Sequence, residues 1–177
     1  MSERCQVPVD HRSSEAQCPV CGQKGQHVKR RTLEHLLTES ALARLTDYPY
    51  FFCATLMCPV VYFSNEAGSR FHKEDVRVRI GVKETEDPVP ICYCFDITER
   101  MVLEEIEATG RTTIPDYIKA QVKAGRCACE TKNPSGRCCL GVVTSVVLRA
   151  LKQREARLQD GEPARIPALG CCEPLTK

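Results

Sequence analysis

Cysteine is the residue type with the clearest chemical potential in this sequence, because it occurs thirteen times and often in closely spaced pairs. Cys18 and Cys21 form a C-x2-C pair followed directly by Gly22, and Cys53 and Cys58 form a second pair with four residues between them. A C-x2-C turn lets two thiolates converge, and glycine permits the positive φ of the turn. Two such pairs complete a tetrahedral sulfur cage, so these four cysteines predict a closed, structural zinc site.

Individual members of this four-cysteine set have alternative interpretations. Cys53 lies inside an apolar run and could be a buried thiol of the core. His27 and His35 could each replace a cysteine as ligand, although isolated histidines are more often surface or hydrogen-bonded groups. The two paired spacings favour the four-cysteine set over both alternatives.

A second group of cysteines comprises Cys92, Cys94, Cys127, Cys129, Cys138 and Cys139. In an extended segment residues i and i+2 point the same way, so Cys92 and Cys94 can hold one metal. The sequence NPSG at 133–136 has the residue preferences of a type I turn, which would bring Cys129 back to Cys138. These residues predict a second four-thiolate site.

Charge indicates the chemistry of this second site. A helix predicted to begin at Leu140 would place its positive N-terminal end beside the thiols, which favours an anion. Four thiolates, two ferric ions and two sulfides sum to a formal charge of about −2, so a [2Fe-2S] cluster would be stabilised there. The nearby basic residues could form a docking rim or simply a solvated surface: Lys119, Lys123, Arg126, Lys132 and Arg137.

The elements that must position the two sites differ along the chain. For the first site, the pattern predicts a strand over 27–33, a helix over 33–45, two short β runs within 48–63 and a strand over 76–82. For the second, it predicts a helix between Thr98 and Gly110, another from Pro115 to Gly125, and a third over 140–155. We therefore expect an α+β protein, in which a small zinc-knuckle β-rich domain precedes a small helical [2Fe-2S] domain.

Proline and charge divide the chain into five predicted segments. They are a flexible arm (1–15), the zinc-binding domain (16–82), a linker (83–90), the [2Fe-2S] domain (91–157) and a flexible tail (158–177). Cys5, Cys171 and Cys172 fall in the arm and the tail. There they could capture a soft metal such as Cu(I) or remain unpaired.

Composition argues against several classes of function. A hydrophobic fraction of 42% and a charged fraction of 27% are typical of ordinary soluble proteins. The net charge of +2 and the 6% of aromatic residues, without tryptophan, argue against nucleic acid as a partner. No apolar stretch reaches the ~20 residues that span a bilayer and no secretory signal core is seen, so a cytoplasmic protein is expected. No nucleophile, base and acid set or phosphate loop indicates an enzyme.

The motifs resemble those of a known family. The second half resembles the [2Fe-2S] module of bacterioferritin-associated ferredoxin, because it has in order C-x-C, two short helices, a cysteine, NPSGRCC and a helix. The resemblance is to the variant of this module that is fused to a zinc domain in the CopZ family of copper chaperones. The zinc half resembles the same family through CPVCG, the FC-x4-C pair and VVYF, and the whole resemblance spans about residues 16–155. It implies zinc at the first four cysteines and a cluster at Cys92, Cys94, Cys129 and one of Cys138 or Cys139.

The sequence departs from the family pattern at two points. Eight residues separate Cys129 from Cys138 where the ferredoxin pattern has a close CxxC pair, and Cys127 is a competing ligand. Cys138 is slightly preferred over Cys139 because it keeps the GRC context. The copper-binding domain with a GMxCxxC-like loop that follows this module in CopZ chaperones is not recognisable in 158–177, so copper delivery through that domain is not expected.

These observations predict an iron-sulfur and zinc protein that acts as an electron-transfer or redox accessory in metal handling, foremost of copper. Its expected partners are a redox protein or a metal chaperone or transport protein, and Cu(I) is a candidate ligand. The alternative is a metal-stabilised module for protein interaction without a redox role.

Overall fold

The structure of the protein is a computed structural model that describes residues 16–160. The predicted arm and residues 161–177 of the predicted tail, with Cys5, Cys171 and Cys172, lie outside the described residues. The described part combines antiparallel sheet with six α-helices, which confirms the predicted α+β class. None of these helices is both long and apolar enough to cross a membrane.

The first half is built on a four-stranded antiparallel sheet with strand order β1-β2-β3-β4. Its strands are Gln26–Val28 (β1), Tyr50–Phe52 (β2), Val60–Ser64 (β3) and Ser69–His72 (β4). β2 and β3 confirm the two β runs predicted within 48–63, and all their residues are buried. Because neighbouring residues of a strand point to opposite faces, Phe51 and Phe63 stack on one face while Phe52 and Tyr62 pack on the other.

Two short helices, Arg30–Leu36 (α1) and Glu39–Leu42 (α2), contribute to the core on the Tyr62 face of this sheet. The strand predicted over 27–33 is wrong beyond Val28, and the single helix predicted over 33–45 is wrong because the backbone becomes extended at Leu37. Backbone pairing stabilises this break, since the N–H of Thr38 donates to the carbonyl of Asp75 at 2.9 Å.

The strand predicted over 76–82 is also wrong. Val76 forms only an isolated bridge with Leu37, and Gly81–Lys83 forms a 3₁₀ turn. The alternation in the sequence does reflect burial, because Val76 and Ile80 join the apolar core while the arginines between them are exposed. The segment therefore packs one face on the core without entering the sheet. β4 was not predicted, because Phe71 is its one buried residue.

The second half contains a hairpin and four helices. They are Pro90–Cys92 (β5), Ile97–Thr98 (β6), Glu99–Thr109 (α3), Ile114–Lys123 (α4), Cys129–Lys132 (α5) and Leu140–Gln159 (α6). The three predicted helices are confirmed as α3, α4 and α6, and Thr98 caps α3 by accepting the N–H of Met101 at 3.4 Å. Gly110 and Gly125 follow α3 and α4 with φ of 75° and 70°. α5 was not predicted, and α6 extends into the segment predicted as a tail.

Each half has its own apolar core. The buried apolar residues of the first half lie within 16–80 and those of the second within 91–150. The segment predicted as a linker is tied to the first half, because Glu84 forms ion pairs with Lys73 at 3.1 Å and with Arg79 at 2.9 Å. Lys83 at its start is only 3% exposed.

Candidate metal centres

The four cysteines predicted to bind zinc converge in the structure. Their sulfur atoms all lie within 4.8 Å of one another. Cys18 Sγ is 3.8 Å from Cys58 Sγ, and Cys21 Sγ is 3.6 Å from Cys53 Sγ. A tetrahedral site with Zn–S bonds of about 2.3 Å has sulfur–sulfur edges of about 3.8 Å. The donor set and these distances therefore fit one zinc ion with no open position.

Local backbone geometry explains why these thiols meet. The turn after Cys18 is closed by hydrogen bonds from Gly22 N–H to Cys18 O and from Cys18 N–H to Gln23 O, both 2.8 Å, and Gly22 has a φ of 70°. Cys53 directly follows β2 and Cys58 lies just before β3, so the pairing of these strands brings the second pair together. The stacked rings of Phe51 and Phe63 belong to the same buried cluster.

The alternative histidine ligands do not join this group. Among residues 16–160, the group of candidate metal ligands contains only the four cysteines. His27 lies on β1, where its ring contacts Phe51 edge-on at a centroid distance of 5.7 Å. His35 is exposed at the end of α1. Cys53 is buried, as expected for a thiol of the apolar core, but its sulfur atom belongs to the group of four candidate metal ligands.

Hydrogen bonding and burial give these thiols unequal acidity. The Thr55 hydroxyl lies 3.3 Å from Cys21 Sγ and lowers the pKa of Cys21 to about 6. Burial has the opposite effect elsewhere, and it raises the pKa of Cys58 to about 12 and also raises that of Cys53. Because zinc binds thiolates, metal binding here is coupled to proton release from the buried thiols.

Lys83 is a component of the site that the sequence prediction missed. Its buried ammonium group donates hydrogen bonds to the carbonyls of Thr55 at 2.7 Å and Cys58 at 2.9 Å, both in the loop that carries the second cysteine pair. Four thiolates and one Zn²⁺ sum to a formal charge of about −2, which the Lys83 charge partly offsets. Thr55 was visible in the sequence as a polar residue in an apolar run, whereas Lys83 stands in a polar stretch that gives no such signal.

Replacing Lys83 with methionine should therefore weaken the zinc site. The substitution keeps the length of the side chain but removes two buried, charge-assisted hydrogen bonds, and we expect a loss of about 3 kcal/mol in the free energy of unfolding. We also expect faster zinc release to a chelator, followed with a colorimetric zinc indicator. Lys119→Met is the matched control, because Lys119 is exposed and its ion pair is with Asp116 on its own helix. Equal behaviour of the two variants would contradict this role of Lys83.

The cysteines of the second half form two close pairs. Cys92 Sγ lies 2.8 Å from Cys139 Sγ, and both residues are buried. Cys94 Sγ lies 3.6 Å from Cys129 Sγ, and both of these residues are partly exposed. The N–H of Ala128 donates to Cys94 Sγ at 3.3 Å.

The predicted turn at 133–136 brings the distant members of these pairs together. The N–H of Gly136 donates to the carbonyl of Asn133 at 2.7 Å, and the N–H of Ser135 donates to Asn133 Oδ1 at 3.0 Å. This hydrogen-bonded turn lies between α5, which begins at Cys129, and α6, which follows Cys139. The N-terminus of α6 therefore lies beside the thiols, as predicted.

The structure favours Cys139 over Cys138, in contrast to the slight preference drawn from the sequence. Cys139 is buried against Cys92, whereas Cys138 is exposed. The GRC context does not reveal this difference, because the start of α6 decides which of two adjacent side chains faces the hairpin. Cys127 is half-buried and has no thiol contact among the described residues, so the geometry favours Cys129.

The four paired thiols supply the number of ligands that a [2Fe-2S] cluster takes, two at each iron, but unlike the first four cysteines they do not converge into one compact group of metal ligands. The 3.6 Å separation of Cys94 and Cys129 is close to a tetrahedral sulfur–sulfur edge. The Cys92 and Cys139 pair is closer, so an iron there requires it to open by about 1 Å. The contact with Cys139 lowers the pKa of Cys92 to about 7 and raises that of Cys139, while burial raises the pKa of Cys129 to about 12.

Two of the five basic residues near this group have local partners. Lys119 pairs with Asp116 at 2.9 Å, and Arg126 donates to Gln121 Oε1 at 2.6 Å. Both residues are exposed. These contacts lie within α4 and the turn after it, which agrees with a solvated surface.

Fold and site together define a metal-binding α+β protein with a four-thiolate centre. A family model described as a zinc binding domain, of the CopZ type, matches residues 15–77. The copper chaperone CopZ of Archaeoglobus fulgidus is 34% identical over 160 residues, which cover 87% of this chain and 73% of that protein. The X-ray structure of the Archaeoglobus fulgidus CopZ N-terminal domain superposes with a TM-score of 0.57 at 31% identity, covering 84% of this chain and 99% of that one. The chain belongs to the CopZ family.

Proposed function

We propose that this CopZ-family protein binds one structural zinc ion and one [2Fe-2S] cluster and serves as a one-electron donor in copper handling. The observation that carries the proposal is the second group of thiols, paired as Cys92 with Cys139 and Cys94 with Cys129 beside the N-terminus of α6. The four thiolates of the first half would leave a bound zinc ion no open position, so among residues 16–160 the second group of thiols is the one available for redox chemistry.

The chain's own residues give the second group an inner and an outer side. A bound [2Fe-2S] cluster would supply reversible one-electron chemistry. Cys92 and Cys139 form the inner side and are buried in the apolar core, which excludes water from them. Cys94 and Cys129 are partly exposed, and the Ala128 N–H donates a hydrogen bond to Cys94 Sγ. Electron exchange with a partner therefore takes place on the side of Cys94 and Cys129.

The copper part of the proposal is supported by the relative named as a copper chaperone. Copper is carried by thiol-rich proteins as Cu(I), because soft thiolates favour that oxidation state. One electron from the reduced protein converts one Cu(II) to Cu(I), which a separate chaperone or transport protein then takes up. We assign the protein to the cytoplasm, where the ten cysteines of the described part remain free thiols or metal ligands.

Metal analysis of anaerobically purified protein tests the cofactor. We expect about two iron and two sulfide per chain, together with about one zinc. Dithionite should bleach the visible absorption and produce a spin-half EPR signal. A sample that contains zinc but no iron would overturn the proposal.

Copper reduction tests the function. The dithionite-reduced and desalted protein is mixed anaerobically with Cu(II) and a chelator that reports Cu(I). We expect about one equivalent of Cu(I) per chain more than the unreduced protein produces, since free thiols reduce Cu(II) in both samples. Equal yields would remove the copper part of the proposal.

The second candidate is a metal-stabilised interaction module without redox function. It is favoured by the burial of Cys92 and Cys139, because a metal held there would strengthen the core of the second half. A protein that holds iron but shows no reversible reduction by EPR would support this candidate.

A further inference from the structure

The loop that precedes Cys139 forms hydrogen bonds with the first half of the chain, which carries the four-cysteine zinc site and is called the zinc half below. The phenol of Tyr62, on β3, donates a hydrogen bond to the carbonyl of Pro134 at 2.8 Å, and Gln26 Nε2 on β1 donates to the carbonyl of Ser135 at 2.6 Å. The next residue, Gly136, is so close to α1 that a Cβ on it would lie 2.9 Å from Thr32 Oγ1. Three consecutive residues of the 133–136 turn thus contact the zinc half.

The segment that carries Cys92 and Cys94 is held by the same half. Tyr93 lies between them in sequence, and its phenol accepts the N–H of Gly81 at 2.8 Å and donates to the carbonyl of Arg79 at 3.0 Å. The backbones are also in close contact, since a Cβ on Gly81 would lie 1.9 Å from the carbonyl oxygen of Pro90.

Both ligand segments of the second group are therefore anchored on one body, the zinc half. On the basis of the function proposed above, we infer that the zinc half is a template that fixes the separation of these two segments, with Tyr62 and Tyr93 as positioning residues for the cluster. Tyr62 touches none of the thiols in the described contacts, so its effect passes through the 133–136 turn.

The Tyr62 hydroxyl is separable from the packing of its ring. The ring lies in the core of the zinc half and contacts Phe52 at a centroid distance of 5.9 Å, while the one hydrogen bond of the hydroxyl within residues 16–160 is to Pro134. Burial raises the pKa of Tyr62, so the phenol remains a hydrogen-bond donor. Tyr62→Phe therefore removes the contact between the halves and leaves the ring in place.

Tyr50 offers a matched control in the same core. It is also buried, but its hydroxyl bonds to Thr46 within the zinc half, at 3.1 Å from Thr46 Oγ1. Tyr50→Phe therefore deletes one hydroxyl of the zinc half without changing any contact with the second half.

The test uses the full chain with its metals, purified anaerobically as wild type, Tyr62→Phe, Tyr93→Phe and Tyr50→Phe. We expect the first two variants to lose iron to a ferrous chelator about ten-fold faster than the wild type and the control, while zinc content stays constant. We also expect their reduction potentials to differ from that of the control, because altered thiol spacing changes the cluster environment and a purely structural loss would not.

The outcomes distinguish a failure of the template inference from a failure of the proposed function. If the wild type contains iron but Tyr62→Phe and Tyr93→Phe match Tyr50→Phe in iron loss and potential, the template inference is wrong and the proposed function stands. If the wild type contains no iron, both are wrong. Tyr93→Phe provides an independent reading should Tyr62→Phe fail to fold, because Tyr93 lies outside the core of the zinc half.

Discussion

Cys139→Ser should lose at least about ten-fold in bound iron, whereas Cys138→Ser should retain the wild-type content. The two substitutions change adjacent residues by the same atoms, so the expected difference comes from their positions alone. Cys139 is buried against Cys92, and Cys138 is exposed two residues before α6 begins. A serine hydroxyl is a poor iron ligand compared with a thiolate. Iron and sulfide assays with visible absorption measure the effect.

Zinc content provides the internal control for this pair of variants. Both should keep about one zinc, because neither residue belongs to the group formed by Cys18, Cys21, Cys53 and Cys58. The opposite pattern, with iron lost from Cys138→Ser and kept in Cys139→Ser, would restore the sequence-based preference and contradict the geometry. Loss of zinc together with iron would contradict the separation of the two sites.

The grouping of the first four cysteines and three of the six helices of the described part could be predicted from the sequence, because their signals are local. The residues of a C-x2-C-G turn determine its backbone geometry, and in the structure Gly22 of this turn has a positive φ. Thr98, Gly110 and Gly125 likewise mark helix ends through capping and left-handed conformations that depend on nearest neighbours. Such signals require no knowledge of what packs against the element.

The sequence patterns are less informative where a distant part of the chain decides the local structure. The alternation at 76–82 indicates one buried face, but the sequence cannot tell whether a partner strand exists, and here the segment packs on the core of α1 and α2. Lys83 was assigned to a polar linker because its two acceptor carbonyls, of Thr55 and Cys58, lie more than twenty residues earlier in the chain. The choice between Cys138 and Cys139 depends on the packing of α6 in the same way.

Removing a zinc ligand should unfold the sheet of the first half. In Cys58→Ser the site retains three thiolates, and we expect zinc to be lost and the amides of β2 and β3 to lose protection from hydrogen exchange. The reason is energetic, because zinc contributes about 10–16 kcal/mol of binding free energy in small four-ligand modules, which is comparable to the entire free energy of unfolding of a typical domain, about 5–15 kcal/mol. Exchange measured by mass spectrometry, with zinc content on the same sample, checks the result.

The matched control for this variant is Cys127→Ser, since Cys127 is half-buried and lies outside both groups of paired thiols. It should keep zinc and full protection of β2 and β3. Because Tyr62 lies on β3 and holds the turn before Cys139, unfolding of the sheet in Cys58→Ser should also accelerate the loss of iron, although no iron ligand has changed. A Cys58→Ser protein that has lost its zinc but retains the protected sheet would mean that the apolar core alone stabilises the first half. Zinc would then have a role other than holding the fold.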